Sequence, residues 1–210
     1  SDGRPHDDLI MTIGDHGERI SIVESLAKDY PEPDDPKGIS AGVALAAVGD
    51  YKRALPYLET WWRGWTQVGA GDSLMAQALI AARRDAGDQE GADEVIEALK
   101  TNVRRLRAAG ITVTSRTHSV DYVEGVASYL AGERENGLEL IAKAAKDGFF
   151  ILPPEAFAFQ SSLAKEPEFV RILDDQAKHQ AREREKVLQV VCKDNPYADA
   201  WTPLDETCES

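Results

Sequence analysis

The feature that most constrains this chain is a short turn that recurs three times between alanine-rich apolar segments. Each copy places a glycine directly before an acidic residue, at Gly49-Asp50, Gly87-Asp88 and Gly132-Glu133. Glycine readily adopts the left-handed conformation that ends an α-helix, and a carboxylate at the start of the next helix is favoured by the helix dipole. The motif therefore predicts a series of αα-hairpins.

The residues on both sides of these turns keep helical spacing. Apolar side chains recur three and four positions apart, which is typical of a helix that buries one face. Small residues also lie 12 positions apart across two of the turns, as Gly42 with Ala54 and Gly125 with Gly137. Small residues at these places would let the two helices of a hairpin approach closely.

This pattern resembles the tetratricopeptide repeat, which carries small residues at the same separation in its two helices. The stretch Gly49-Asp-Tyr-Lys-Arg-Ala-Leu55 is similar to that family's turn and second-helix start, whereas Ile80 stands where the family has a small residue. The resemblance covers about residues 10–147. It implies an all-α fold, an α-α superhelix of degenerate hairpins, with residues 1–147 as the hairpin domain.

Two further segments complete this array. Gly14 with Pro31 indicates a partial first repeat, whose second helix would run from Glu18 to Tyr30. The β-branched stretch Ile111–Thr117 is interpreted as an extended connector, because a lone strand would have no partner. Ser119 is then expected to cap the helix that follows.

Residues 148–210 are predicted to form a helical C-terminal extension that ends in an irregular tail. Because proline is favoured in the first turn of a helix, we expect a short helix from Pro153 to Ser162 and a long one from Glu166 to about Cys192. The segments Leu152–Glu155 and Val191–Pro196 are similar to the C-terminal repeat region of bacterial multidomain regulators. That resemblance implies a sensory or regulatory module.

The charge balance argues against a nucleic-acid partner. The chain has 24 Lys and Arg against 37 Asp and Glu, a net charge of −13, and phosphate binding needs a basic surface. Arg104, Arg105 and Arg107 form the main basic cluster but spread around a predicted helix. The most apolar stretch, Gly148–Leu152, is far too short to span a membrane. Since the chain opens with Ser1, we expect it to come from a longer or processed polypeptide.

No catalytic motif is recognisable. Gly69-Ala-Gly71 lacks the Lys-Ser that completes a phosphate-binding loop. His6, Asp7, Asp8 and His16 could gather a metal ion, but such a group is more often a solvated segment. We therefore expect no enzymatic activity, no cofactor and no metal site.

Three tryptophans, Trp61, Trp62 and Trp65, crowd one stretch of a predicted helix. Large aromatic side chains are often buried between packed helices, and we expect Trp62 in the core. Trp61 and Trp65, together with Arg104, are expected to line a groove. The predicted function is binding of a peptide or protein partner in that groove; the alternative is a small-molecule domain with a Trp-lined cavity.

Two cysteines, Cys192 and Cys208, lie 16 residues apart at the C-terminal end. They are either unrelated thiols or a disulfide that ties the tail to the last helix. A bridge would place the chain in an oxidising, extracytoplasmic compartment, whereas free thiols would be compatible with the cytoplasm.

Overall fold

The computed structural model describes residues 16–35, 38–68, 73–115, 118–152, 157–193 and 208 of the chain. Within them the fold is all-α, as predicted. The helices are α1 (His16–Asp29), α2 (Gly38–Ala47), α3 (Tyr51–Val68), α4 (Ser73–Asp85), α5 (Gln89–Ala108), α6 (Val120–Leu130), α7 (Arg134–Lys146), α8 (Ser161–Ala164) and α9 (Pro167–Val191). A 3-10 turn at Ala158–Gln160 precedes α8.

Consecutive helices pack as hairpins, α2 with α3, α4 with α5, and α6 with α7. Helix α1 packs on α2, and neighbouring hairpins meet through α3 with α4 and through α5 with α6. Helix α1 agrees with the predicted second helix of a partial repeat, and α9 agrees with the predicted long helix, each within two residues at both ends. A superhelical arrangement of these hairpins stays a prediction.

The three predicted turns are confirmed by their backbone conformation. Gly49, Gly87 and Gly132 have φ values of 86°, 79° and 89°, where a side chain would be strained. After each glycine, the next backbone N–H donates to a carbonyl five residues earlier: Asp50 to Leu45, Asp88 to Arg83, and Glu133 to Ser128. This bond closes the helix end in the Schellman manner. The fourth turn glycine, Gly14, lies outside the described residues.

In two of the hairpins, the small residues lie where the two helices approach most closely. A Cβ atom built on Gly125 would lie 2.8 Å from the carbonyl oxygen of Gly137, and one on Gly137 would lie 2.7 Å from the carbonyl oxygen of Gly125. In the other hairpin, a Cβ atom on Gly42 would lie 2.6 Å from Cβ of Tyr57, and Ala54 is fully buried. The predicted pair of Gly125 and Gly137 is thus in direct contact, whereas Gly42 meets Tyr57 more closely than its predicted partner Ala54, whose carbonyl oxygen would lie 3.6 Å away.

The connector before α6 differs from the prediction in one respect. Its ends pair as a short antiparallel ladder, β1 (Val113–Ser115) with β2 (His118–Ser119). Ser119 does occupy the N-cap position of α6, but its side chain makes no capping hydrogen bond. Instead, the backbone closes the turn, since the N–H of Val120 donates to the carbonyl of Thr112 at 3.0 Å.

The helix predicted from Pro153 to Ser162 is wrong in its extent. Phe157 is extended (φ −133°, ψ 111°), and helical structure begins only with the 3-10 turn at Ala158. The physical reason is burial, because one extended residue followed by a tight 3-10 turn lets the aromatic side chains at 157 and 159 both turn inward. Residues 153–156 lie outside the described part of the chain.

The buried apolar side chains form two clusters. The first is built by α1 to α6 and includes Phe157 and Phe159, and the second joins α6 and α7 to Ile151, Leu163 and Phe169. Segments after residue 147 thus pack on the hairpins, and the domain boundary predicted there stays a prediction. Among the described residues, no helix has the length and hydropathy to cross a membrane.

Candidate functional site

The first helices of the hairpins are buried on all sides. Seven of the ten residues of α2 and seven of the eleven of α6 are buried, and in α4 the consecutive residues 76–80 are all buried. Because successive helical residues are 100° apart, five in a row cover the whole circumference. The second helices instead keep an exposed side, with Lys52 on α3, Asp93 on α5 and Glu139 on α7.

A segment from beyond the hairpins covers α2 and α4. We call residues 157–160 the strap; its 3-10 turn contacts both helices. Phe157 and Phe159 are only 3% and 9% exposed, and their ring centroids lie 5.2 Å apart. Between them, Ala158 approaches the turn after α2, where a Cβ atom on Gly49 would lie 3.6 Å away. The strap therefore lies on a surface formed by residues far earlier in the chain.

A buried amide pair fixes the end of the strap. Nε2 of Gln160 donates to Oε1 of Gln77 on α4 at 2.9 Å, and both side chains are buried. Burial raises the pKa of Tyr122 on α6 to about 12, an effect that hydrogen bonds from Gln160 and Gln77 partly offset. Three buried polar side chains thus join the strap to two first helices. Oε1 of Gln160 has no hydrogen-bond partner in the described structure.

A few residues away from the strap on either side, the chain reaches the second cluster, where Ile151 and Leu163 are buried. Leu152, in contrast, packs against the first cluster. Gln176 on α9 fixes the chain before the strap. Its side-chain amide accepts a hydrogen bond from the N–H of Ile151 and donates one to the carbonyl oxygen of the same residue, both at 2.9 Å. Gln160 thus fixes the end of the strap, and Ile151 is fixed six residues before its start.

Trp62 lies in the first cluster, as predicted, and helps to bury an ion pair. The guanidinium carbon of Arg83 lies 5.9 Å from the centroid of the Trp62 ring. Arg83 also donates two hydrogen bonds to the carboxylate of Glu59, at 2.7 and 3.0 Å, and one to the carbonyl of Gly91. The pKa of Arg83 is raised, chiefly by the bond to Glu59. These contacts tie α3, α4 and α5 together.

The groove residues predicted from sequence are distributed over two helices. Trp61 on α3 is half-buried against the first cluster, with its ring centroid 6.2 Å from that of Trp62. Arg104 on α5 is exposed and donates to Oγ1 of Thr101 one turn back at 2.8 Å. Trp65 belongs to α3, but its side chain lies outside the described residues. A shared groove of these three residues stays a prediction, as does a Trp-lined cavity.

An open surface depression of about 600 Å³ lies between the link after α1 and the start of α3. Tyr57 borders it, and its hydroxyl lies 2.9 Å from the carbonyl oxygen of Tyr30. Two cations line the depression: Arg53, which is paired with Glu24 at 2.7 Å, and Lys52, whose side chain is exposed.

The two cysteines are brought together at the end of α9. Cys192 and Cys208 lie at disulfide distance, with their Cα atoms 5.5 Å apart. Among the residues that the structure describes, no group of three or more His, Cys, Asp and Glu side chains could hold a metal ion. The side chains of the N-terminal set His6, Asp7, Asp8 and His16 fall outside that part.

No protein-family model matches this chain, and searches of curated proteins and of solved structures also find no match. Its function is therefore inferred from the arrangement of its own residues.

The sequence reasoning missed the strap, although two signals pointed to it. The segment of α2, Gly38–Ala47, contains no charged residue, and a helix that is apolar all round must be covered all round. A repeat array alone would leave one side of its first helices to solvent. The second signal is the pair of aromatic residues Phe157 and Phe159, whose large apolar side chains are usually buried and so indicate a segment packed on the core.

Proposed function

We propose that this chain is a protein-interaction module that binds a short peptide segment of a partner on the surface of α2 and α4. We call this surface the first-helix face. The observation that supports the proposal is the strap itself, since the face holds a four-residue segment with two buried aromatic side chains. A surface that accommodates such a segment in cis has the shape and polarity to accept one in trans.

The composition of this face fits a short apolar peptide better than a small polar ligand. It belongs to an apolar cluster and offers one buried amide, Gln77, as the polar contact. Peptide-binding surfaces combine apolar pockets with a few placed polar groups in the same way. The net charge of −13 favours a protein partner over a nucleic acid. The chain would act as the recognition part of a sensory or regulatory protein.

A peptide-display selection against the whole folded chain tests this function. We expect selected peptides to bind with Kd of about 10 μM or tighter and to slow amide hydrogen exchange in α2 and α4. Protection confined to the depression beside Tyr57, or to the exposed side of α3 and α5, would contradict the proposed face. Failure to select any peptide would contradict the proposed function.

We also propose that the module works outside the cytoplasm. Support comes from the disulfide distance between Cys192 and Cys208, because a bridge persists only in an oxidising compartment. The measurement is the intact mass of protein isolated from its native compartment and alkylated without reduction. We expect a mass that lacks two hydrogens and carries no alkyl group. Two alkylated thiols would return the chain to the cytoplasm.

A further inference from the structure

We infer that the strap is an internal ligand of the first-helix face. The partner segment that displaces it would carry two aromatic residues separated by one small residue and followed by an amide side chain. This inference rests on the proposed function and names the partner's chemistry. Its basis is the pattern Phe157-Ala-Phe-Gln160, whose side chains make the contacts between the strap and the first-helix face.

The strap comes from a part of the chain far from the surface that it covers. Gln160 and its partner Gln77 are 83 positions apart, and Ile151 and Leu163, a few residues away on either side, belong to the other cluster. The strap is thus not part of the hairpins that it covers. It is a segment laid on a surface that residues 38–85 build, which is the relation of a peptide to its binding site.

Each strap residue makes a different contact. Phe157 and Phe159 turn into the cluster, while Ala158 is half-buried beside the turn at Gly49. Gln160 adds the directional contact, through the hydrogen bond to Gln77. Aromatic groups with a small residue between them, then an amide, are therefore the features that a competing segment must reproduce.

The strap does not satisfy all of its own polar groups. Oε1 of Gln160 is buried without a hydrogen-bond partner in the described structure, and a competing segment that satisfied this position would bind more tightly. A tethered segment competes at an effective concentration in the millimolar range. A partner segment must therefore bind the face tightly enough to outcompete the tethered strap, which weakly binding peptides cannot do.

The experiment uses a fluorescent peptide that copies residues 150–163 and the full-length chain with its cysteines intact. The emptied variant carries Phe157→Ala and Phe159→Ala together. Because it lacks the tethered competitor, we expect it to bind the peptide about 10-fold or more tighter than the wild type does. A control peptide with the same two phenylalanines replaced by alanine should bind neither protein.

An emptied variant that keeps its helical circular dichroism and cooperative melting, yet does not bind the peptide, would overturn the inference. If that variant does not fold, amide exchange of the wild type and of Gln160→Ala decides instead. We expect strap amides to exchange without unfolding of α2 and α4, and faster in Gln160→Ala. Exchange of the strap only through global unfolding would make it permanent core and overturn the inference.

The inference and the proposed function fail separately in these experiments. Selected peptides that bind the first-helix face of the wild type, together with a strap peptide that binds nothing, would overturn the internal ligand alone. A strap peptide that binds the emptied variant, with no selected peptide binding the wild type, would leave the internal ligand standing and remove the external partner.

Discussion

Two hairpins of this chain share one spacing of small residues and use it differently. In the last hairpin, α6 with α7, Gly125 and Gly137 face each other, and a Cβ atom on either would meet the partner's backbone oxygen within 3 Å. In the hairpin of α2 with α3, Gly42 is the one glycine of the pair, and a Cβ atom on it would lie 2.6 Å from Cβ of Tyr57. One hairpin brings two backbones together, whereas the other fills the gap with an aromatic side chain.

The difference shows what the second small residue is for. Ala54 carries a Cβ atom and is still fully buried, so the hairpin of α2 with α3 has room for a methyl group. That hairpin gains in exchange a tyrosine whose hydroxyl reaches the link after α1. The last hairpin has no such room, because the Gly137 position also meets the backbone N of Tyr129 at 2.7 Å. A hairpin can therefore bring its two backbones into contact or place a large side chain between them, but not both at the same position.

The largest effect is expected from Gly137→Ala. The added methyl group must push two backbones apart, and overpacking of this kind costs about 3 kcal/mol of unfolding free energy, only partly offset by the better helix propensity of alanine. Urea unfolding followed by circular dichroism measures it. A free energy of unfolding equal to that of the wild type would show that the two helices are not in backbone contact.

Ala54→Leu tests the hairpin of α2 with α3 in the same way. Three extra carbon atoms at a fully buried position should cost about 2 kcal/mol, since the tyrosine-filled gap can adjust more than a backbone contact can. Lys52→Leu is the matched control, because Lys52 is exposed on the other side of α3. Equal melting temperatures for the wild type and Ala54→Leu would contradict the register of this hairpin.

The buried tyrosine of the last hairpin predicts a loss of stability in alkali. The pKa of Tyr122 is about 12 in the folded chain, against about 10 when unfolded. Above pH 10 the unfolded state therefore ionises first, and the free energy of unfolding should fall by about 1–2 kcal/mol as the pH approaches 12. The measurement is urea unfolding at pH 9 and pH 11. Tyr122→Phe should show a smaller fall, and an identical fall would contradict the assignment.

The smallest effect has the opposite sign. Gly64 is an exposed helical glycine in α3 with nothing within 4 Å of the place where its Cβ atom would lie. Gly64→Ala should raise the free energy of unfolding by about 0.5–1 kcal/mol, since alanine loses less backbone entropy. Thermal melting measures this gain. A destabilised Gly64→Ala variant would mean that this side of α3 is covered.

The features that were predictable from sequence are the local ones. Each turn glycine is followed within one residue by the acid that begins the next helix, and each small-residue pair lies within one hairpin. Trp62 in the core also follows from helical spacing. The strap could not be placed in this way, because its partner Gln77 is 83 residues away and nothing in the intervening chain specifies their meeting. Long-range pairing of this kind depends on the assembled surface.

The distance between the strap and its surface also has a consequence during synthesis. Helices α2 and α4 end at residues 47 and 85, but the segment that covers them is completed at residue 160. Because translation adds about 5–20 residues per second, the apolar sides of these helices stay uncovered for roughly 4–15 s after α4 leaves the ribosome. Hairpins alone could form and melt one after another, as in a linear array. The strap instead makes an early and a later part of the nascent chain depend on each other. The early hairpins therefore pass through an interval in which a chaperone can bind the surface that the strap later occupies.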